Sequence, residues 1–235
     1  MYTFHSRVRF SETDEEEKLT VTGILNYLQD CCVFHSQDYG AGNAWQRSRD
    51  KVWMLASWQI DIEDRPPLFE EIEIGTQCYE FSGLYGKRNN WIRGMDGRYY
   101  VRAASLWCIV SPSTGKVVRI GGEDMAPYDV EPPLEMEYAG RRLRLPAERQ
   151  PLPSFRVTKG DLDSNHHVNN SRYIGMALDC LPEAFIPRQV RAEYRAQATL
   201  GSLICPVLGR DGDCYTVSLE NEEKTPYAVV ECRKQ

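Results

Sequence analysis

The sequence predicts an α+β chain made of two similar halves, each a curved antiparallel sheet packed on one helix. Three observations carry this expectation. A helical apolar stripe occurs twice, in residues 24–34 (ILNYLQDCCVF) and 174–181 (IGMALDCL). An offset of 149 residues lays Asp30-Cys31 on Asp179-Cys180, and it also lays Asp14 on Asp163. After each stripe the apolar period changes from that of a helix to the two-residue period of strands.

Each half opens with a leading strand. In the first stripe Ile24, Tyr27, Leu28, Cys31 and Phe34 share one helical face. In the second, Ile174, Ala177, Leu178 and Leu181 do the same. Trp58, Ile60 and Ile62 then alternate with polar residues, as do Val190, Ala192 and Tyr194. Further strands are expected in the first half at 76–81, 87–93 and 99–110, with the last two joined by the turn Gly94-Met-Asp-Gly97. In the second half they are expected at 205–208, 215–219 and 227–232, with turns at 211–213 and 221–224. Residues 121–154 are rich in Pro and charge and read as a connection. The expected division is a domain at 1–122, a linker at 123–153 and a domain at 154–235. A sheet with one apolar face and a helix with one apolar stripe bury each other, which is the simplest architecture for either half.

Composition narrows the class. The chain has 235 residues, 42% hydrophobic and 26% charged, enough for a sizeable core and against disorder. No apolar run approaches the roughly 18–20 residues of a membrane span, so no membrane association is expected. The opening MYTFHSRVRFSETDEEEK has no apolar signal core, so a cytoplasmic location is expected. A net charge of −6 argues against a nucleic-acid partner. Eight cysteines stand without a CxxC pair or a zinc-like Cys/His spacing, so no metal and no cofactor are expected.

Residues 161–170, DLDSNHHVNN, concentrate polar side chains just before the second helical stripe. A polar loop with a helix cap would explain such a composition. A calcium loop would use Asp161, Asp163 and Asn165, but it requires Gly and Glu where His166 and Arg172 stand. A cysteine nucleophile on the same helix is too far away, because Cys180 lies about 20 Å from His167 at 1.5 Å per residue. Cys205 stays open. Water-based hydrolysis is the coherent alternative. His167 would move a proton, Asp163 would orient it, and Asn165 would hold water or a carbonyl oxygen. Backbone N–H groups near Val168–Asn170 would face a developing oxyanion.

The stretch DLDSNHHVNNSRYI resembles the motif D-L-D-x-N-x-H-V-N-N-x-x-Y-I of the acyl-acyl carrier protein thioesterases, plant chloroplast enzymes and their bacterial relatives. Blocks in the first half are similar to the same family: TVTGILNYLQDCCVFHS, WMLASWQIDIEDRPPLFEEIEIGT, RAASLW and GKVVRI. The resemblance implies a tandem double hot-dog, each half a curved antiparallel sheet wrapped around a long helix. It implies hydrolysis of fatty acyl thioesters on acyl carrier protein, releasing free fatty acid, with Asp163, Asn165 and His167 as catalytic positions. Two departures stand out. Plant members carry Glu then Cys in a stretch like E-Y-R-R-E-C, where this chain has Gln197 and Ala198. Gln197 cannot act as a base but can still position water or a carbonyl, and Ala198 disfavours a cysteine mechanism. The first half has TDEEEKLTVTG in place of the motif and is left to shape an acyl pocket with Ile24, Leu28, Cys32, His35 and Trp53-Met54-Leu55. The same fold also serves acyl-coenzyme A thioesterases and non-catalytic acyl-binding proteins.

An acyl carrier protein with a phosphopantetheine-linked chain is the implied partner. Such carriers are acidic, so docking requires a local basic face. Candidates are Arg141, Arg142 and Arg144, or Arg172, Arg188, Arg191 and Arg195. A homodimer is compatible with the sequence, which does not decide it.

Overall fold

A computed structural model describes residues 1–234. The chain divides into two compact units, one of residues 1–56 and 60–139, the other of residues 57–59 and 140–235.

The first unit runs β1 (Tyr2–Arg7), α1 (Val21–Asp38), α2 (Asn43–Arg47), β2 (Val52–Ile62), β3 (Glu71–Ser82), β4 (Tyr85–Gly94), β5 (Tyr99–Ser111), β6 (Lys116–Val118) and α3 (Gly122–Met125). Its strands lie in the order β1-β3-β4-β5-β2, with β6 added to β5. The β1–β3, β3–β4 and β4–β5 ladders are antiparallel. Helix α1 begins where the Thr20 hydroxyl accepts from the Gly23 N–H at 3.0 Å. It ends in a Schellman turn, with Gly40 at φ +78°, Gly40 N–H on Gln37 and Ala41 N–H on Ser36. Between these caps Ile24, Leu25, Leu28, Cys31 and Cys32 are buried. Each large aliphatic residue among them contributes roughly 1.5–3 kcal/mol of burial.

The second unit runs β7 (Arg149–Pro151), β8 (Phe155–Arg156), α4 (Asn170–Leu178), β9 (Gln189–Tyr194), β10 (Leu203–Asp211), β11 (Cys214–Glu220) and β12 (Pro226–Arg233). Its order is β9-β12-β11-β10-β7, with β8 on β10. The β10–β11 hairpin turns through Gly212, at φ +58°, and Asp213. Helix α4 buries Tyr173, Ile174, Met176 and Ala177. It has half the length of α1, 9 residues against 18.

The α+β expectation and the antiparallel strands hold. The strands expected at stated residues all fall within observed ones, β8 stands where the second half's leading strand is expected, and β6 and β7 are additions of three residues each. Within residues 121–154, Tyr128 and Leu143 are buried. Tyr128 packs with Ala41, Cys78, Trp53 and Phe81, so it belongs to the first unit's core.

Candidate active site

Residues 158–170 form a tight loop between β8 and α4. A short 3-10 turn, Lys159–Asp161, opens it. Asp161 is buried and caps that turn, its Oδ2 accepting from Thr158 N–H at 2.8 Å and Thr158 Oγ1 at 2.7 Å. Its Oδ1 takes Arg172 Nη2 at 2.8 Å and Nε at 3.1 Å. Burial alone would raise the Asp161 carboxyl, but the bonds from Thr158 and Arg172 outweigh it and hold the pKa below the usual range. Both carboxylate oxygens therefore serve the loop, not a shared cation site with Asp163. The T-x-x-D pattern of Thr158–Asp161 was the sequence signal for this anchor, and Arg172 is its second half.

Asp163 organises the tip. Its N–H donates to His167 O at 2.8 Å and its O accepts from His166 N–H at 3.1 Å. Its Oδ1 accepts from the backbone N–H of Asn165 at 2.8 Å and of His167 at 3.3 Å. Its Oδ2 faces the Asn165 amide Nδ2 at 3.5 Å. Such a closed turn needs one left-handed residue, and His166 supplies it at φ +62°. The chain reversal separates the neighbouring imidazoles: His166 is exposed, while His167 is half-buried with its Nδ1 enclosed and not hydrogen-bonded. Among the described residues Asp163 has no ion-pair partner. Asp163, Asn165 and His167 are thus brought together.

Gln197 follows β9 and is exposed. Its neighbour Ala198 joins the loop through the backbone, accepting from Val168 N–H at 3.0 Å. The Ala198 N–H donates to the Tyr173 hydroxyl at 2.8 Å, so α4 and the 195–198 stretch grip the loop from two sides.

One expectation is corrected in part. The N–H groups after His167 were expected to face an oxyanion. Val168 N–H is taken by Ala198 O, Asn169 N–H by Asp161 O at 2.9 Å, and Ser171 N–H by the Asn169 side chain at 2.9 Å. The Val168 and Asn169 N–H groups are therefore satisfied within the fold, and the Asn165 amide stands at the tip beside Asp163. Three of the arginines named as docking candidates are engaged within the fold. Arg172 holds Asp161, Arg191 pairs with Glu231 at 2.9 Å, and Arg195 pairs with Glu193 at 2.8 Å.

Cys180, just beyond α4, is held as a thiol. Cys180 donates to Met176 O, and burial pushes its pKa up to about 11. No group of His, Cys, Asp and Glu side chains among the described residues could hold a metal ion. The first unit contains a pocket, open to solvent, with a cavity volume of about 70 Å³. Of the residues expected to shape an acyl pocket, Cys32 and Trp53 line it, and His35 is buried against its Arg88.

This architecture is the double hot-dog. The solved structure of an acyl-ACP thioesterase from Bacteroides thetaiotaomicron superposes with a TM-score of 0.90 at 22% identity, over 98% of this chain and 96% of that one. Residues 1–128 match the acyl-ACP thioesterase N-terminal domain and residues 146–225 the C-terminal domain. The chain belongs to the acyl-ACP thioesterase family. It is 26% identical over 218 residues to a chloroplastic palmitoyl-acyl carrier protein thioesterase of Cuphea hookeriana, covering 84% of this chain and 52% of that protein. It is 28% identical over 197 residues to a chloroplastic oleoyl-acyl carrier protein thioesterase of Arabidopsis thaliana, covering 76% and 54%. The chain spans about half the length of the curated relatives it matches. No helix among the described residues is long and apolar enough to cross a membrane.

Proposed function

We propose that this chain hydrolyses the thioester between a fatty acyl group and acyl carrier protein, releasing free fatty acid. The observation that carries the reading is the Asp163 turn, which sets a carboxylate, the Asn165 amide and the half-buried His167 on one loop. Family membership of both halves supports the substrate class.

In this reading the thioester carbonyl oxygen accepts from Asn165 Nδ2. Negative charge grows on that oxygen as water attacks, and a fixed amide donor stabilises it more than it stabilises the ground state. His167 takes the proton of the attacking water. Asp163 holds the backbone that aims both side chains, and its free oxygen edge keeps the Asn165 amide in place. The carbon–sulfur bond then breaks, and the proton held by His167 passes to the departing thiolate. Gln197 joins as a neutral group that positions water or the carbonyl. Water is the nucleophile throughout, in keeping with a chain that has Ala198 where plant members have Cys.

The partner is an acidic carrier, met by basic side chains outside the internal ion pairs, Arg142 and Arg144 among them. A cytoplasmic setting belongs to the same reading, supported by eight cysteines of which none is in a disulfide among the described residues. The test is turnover of one acyl chain presented on acyl carrier protein and on coenzyme A. Higher kcat/KM on the carrier supports the reading. Equal or better turnover on coenzyme A refutes the carrier assignment, and no turnover of either refutes the activity.

A further inference from the structure

The pocket of the first unit contains a buried charge that no protein carboxylate answers. Its walls include Cys32 of α1, Trp53 of β2, Phe81 of β3, Arg88 of β4, Trp107 of β5 and Tyr128. Arg88 is 7% exposed. Its Nη1 meets His35 Nδ1 at 3.2 Å and Thr76 Oγ1 at 3.4 Å, and its guanidinium lies 4.7 Å over the Tyr128 ring.

All these neighbours are neutral. A guanidinium only donates, so His35 Nδ1 accepts and its proton sits on Nε2. That Nε2 is buried without a partner. Burial, then the charge of Arg88, push the His35 pKa down to about 3, so the ring adds no second cation. No acidic side chain lines the pocket among the described residues. Glu80, on β3, is taken by Lys87 at 2.8 Å. A buried cation with hydrogen bonds but no counter-ion destabilises a fold unless something answers it. Of the other walls, Val33, Trp53, Phe81, Trp107 and Tyr128 are apolar or aromatic and suit an aliphatic chain, while Ser36, Asn43 and Gln46 are polar and uncharged.

We propose that this pocket binds an aliphatic chain bearing a carboxylate, with the carboxylate on Arg88 and the methylenes against Trp53, Phe81 and Trp107. The guanidinium fork matches a carboxylate in shape as well as charge. Two sources share this chemistry. One is a free fatty acid, the product class of the proposed reaction. The other is an acyl thioester with a carboxylate at its far end, and that source rests on the thioesterase reading.

Trp53 and Trp107 provide a direct readout that does not depend on turnover. Intrinsic fluorescence of the whole chain is titrated with decanoate and, separately, with uncharged decanol. Decanoate is expected to bind at least about tenfold more tightly, with affinity falling as salt is added. Arg88→Met should remove that preference and Arg88→Lys should keep part of it. Decanol binding as tightly as decanoate to the wild-type protein overturns the proposal without any variant, so a misfolded Arg88→Met cannot shield it. Undiminished decanoate binding by a folded Arg88→Met overturns it as well. The source is read from wild-type turnover. Faster hydrolysis of an ω-carboxyacyl thioester than of the plain acyl thioester assigns the carboxylate to the acyl tail. Competitive inhibition of plain turnover by decanoate assigns it to the free acid. If neither thioester is hydrolysed, the thioesterase reading fails while the fluorescence titrations still decide the pocket.

Discussion

Residues 12–20 and 161–169 follow the same backbone path, and only the second carries the side chains of the proposed chemistry. In both, an Asp accepts through Oδ1 from two backbone N–H groups: Asp14 from Glu16 and Lys18, each at 3.1 Å, and Asp163 from Asn165 and His167. In both, the residue three beyond that Asp is left-handed, Glu17 at φ +57° and His166 at φ +62°. In both, a second chain segment docks from the side. Leu19 N–H donates to Pro66 O at 2.9 Å as Val168 N–H does to Ala198 O. Glu63 and Asp64 donate to Tyr100 O as Arg195 and Ala196 do to Tyr227 O. These bonds place Arg65 and Gln197 at equivalent positions.

The difference lies in that side segment. Arg65 ion-pairs with Asp14 and reaches Glu16 at 2.9 Å. Burial alone would raise the Asp14 carboxyl, but the bonds from Arg65 and the Lys18 N–H outweigh it and hold the pKa low. The first loop is a neutralised structural corner. The second has Gln197 where the cation would stand, so Asp163 is left to its own loop. Pro66 and Ala198 differ in a linked way. Pro66 has no N–H to satisfy, and the apolar Ile24 stands where the repeat has Tyr173; Ala198 has an N–H, and the Tyr173 hydroxyl accepts it. The same turn is thus built once for stability and once around an uncompensated carboxylate.

The largest effect should come from His167→Ala, lowering kcat by about 10²–10⁴ in a steady-state assay. Lys18→Ala, at the equivalent position of the first loop, should leave kcat near wild type, and so should His166→Gln. A His166 variant as inactive as the His167 variant would assign the proton transfer to the other imidazole.

Asn165→Ala should cost about 10²–10³ in kcat with little change in KM, the signature of a donor that acts as charge develops. A change confined to KM would place Asn165 in ground-state binding.

Gln197→Arg tests the comparison most directly, since it rebuilds the first loop's ion pair in the second. With Asp163 claimed by a cation and the tip drawn toward it, kcat should fall by roughly 10–10². Full activity would mean that Asp163 tolerates the neutralisation seen at Asp14.

Arg172→Met should lower kcat by about tenfold, because the loop loses its bond to Asp161 and its tip drifts. Carrier-linked and small thioesters should suffer equally. A loss limited to the carrier-linked substrate would restore Arg172 to the docking face.

Arg65→Gln should affect stability alone. Losing the bonds to Asp14 and Glu16 should cost about 1–2 kcal/mol, partly screened at the exposed Glu16, or roughly 2–8 °C in Tm. The sign with pH follows from the lowered Asp14 pKa. The contribution is present above the ordinary carboxyl value of 3.8 and is lost as pH falls through the lower folded value. The Tm gap between wild type and variant should therefore be full at pH 6 and close under acid. A gap that widens in acid would show that Arg65 works through some other group.

Much of this was readable without a structure. The 149-residue offset that lays Asp14 on Asp163 marks the two loops, because a turn anchored by one carboxylate on two N–H groups constrains a few consecutive residues. Helix stripes and strand alternation were legible because burial on one face imposes a period. Asp163, Asn165 and His167 fall within five consecutive residues, so local order alone brings them together. Three features lay beyond that reach. Arg65 and Gln197 are equivalent only through hydrogen bonds to distant strands. Arg172 looked like a docking cation and instead serves Asp161, because which carboxylate it meets depends on how α4 folds back on the loop. Arg88 sits in a strand pattern that reads as ordinary alternation, and its burial among His35, Thr76 and Tyr128 is set by three segments meeting around one side chain. Periodicity and motif spacing are properties of neighbours along the chain, whereas the choice of ionic partner belongs to neighbours in space.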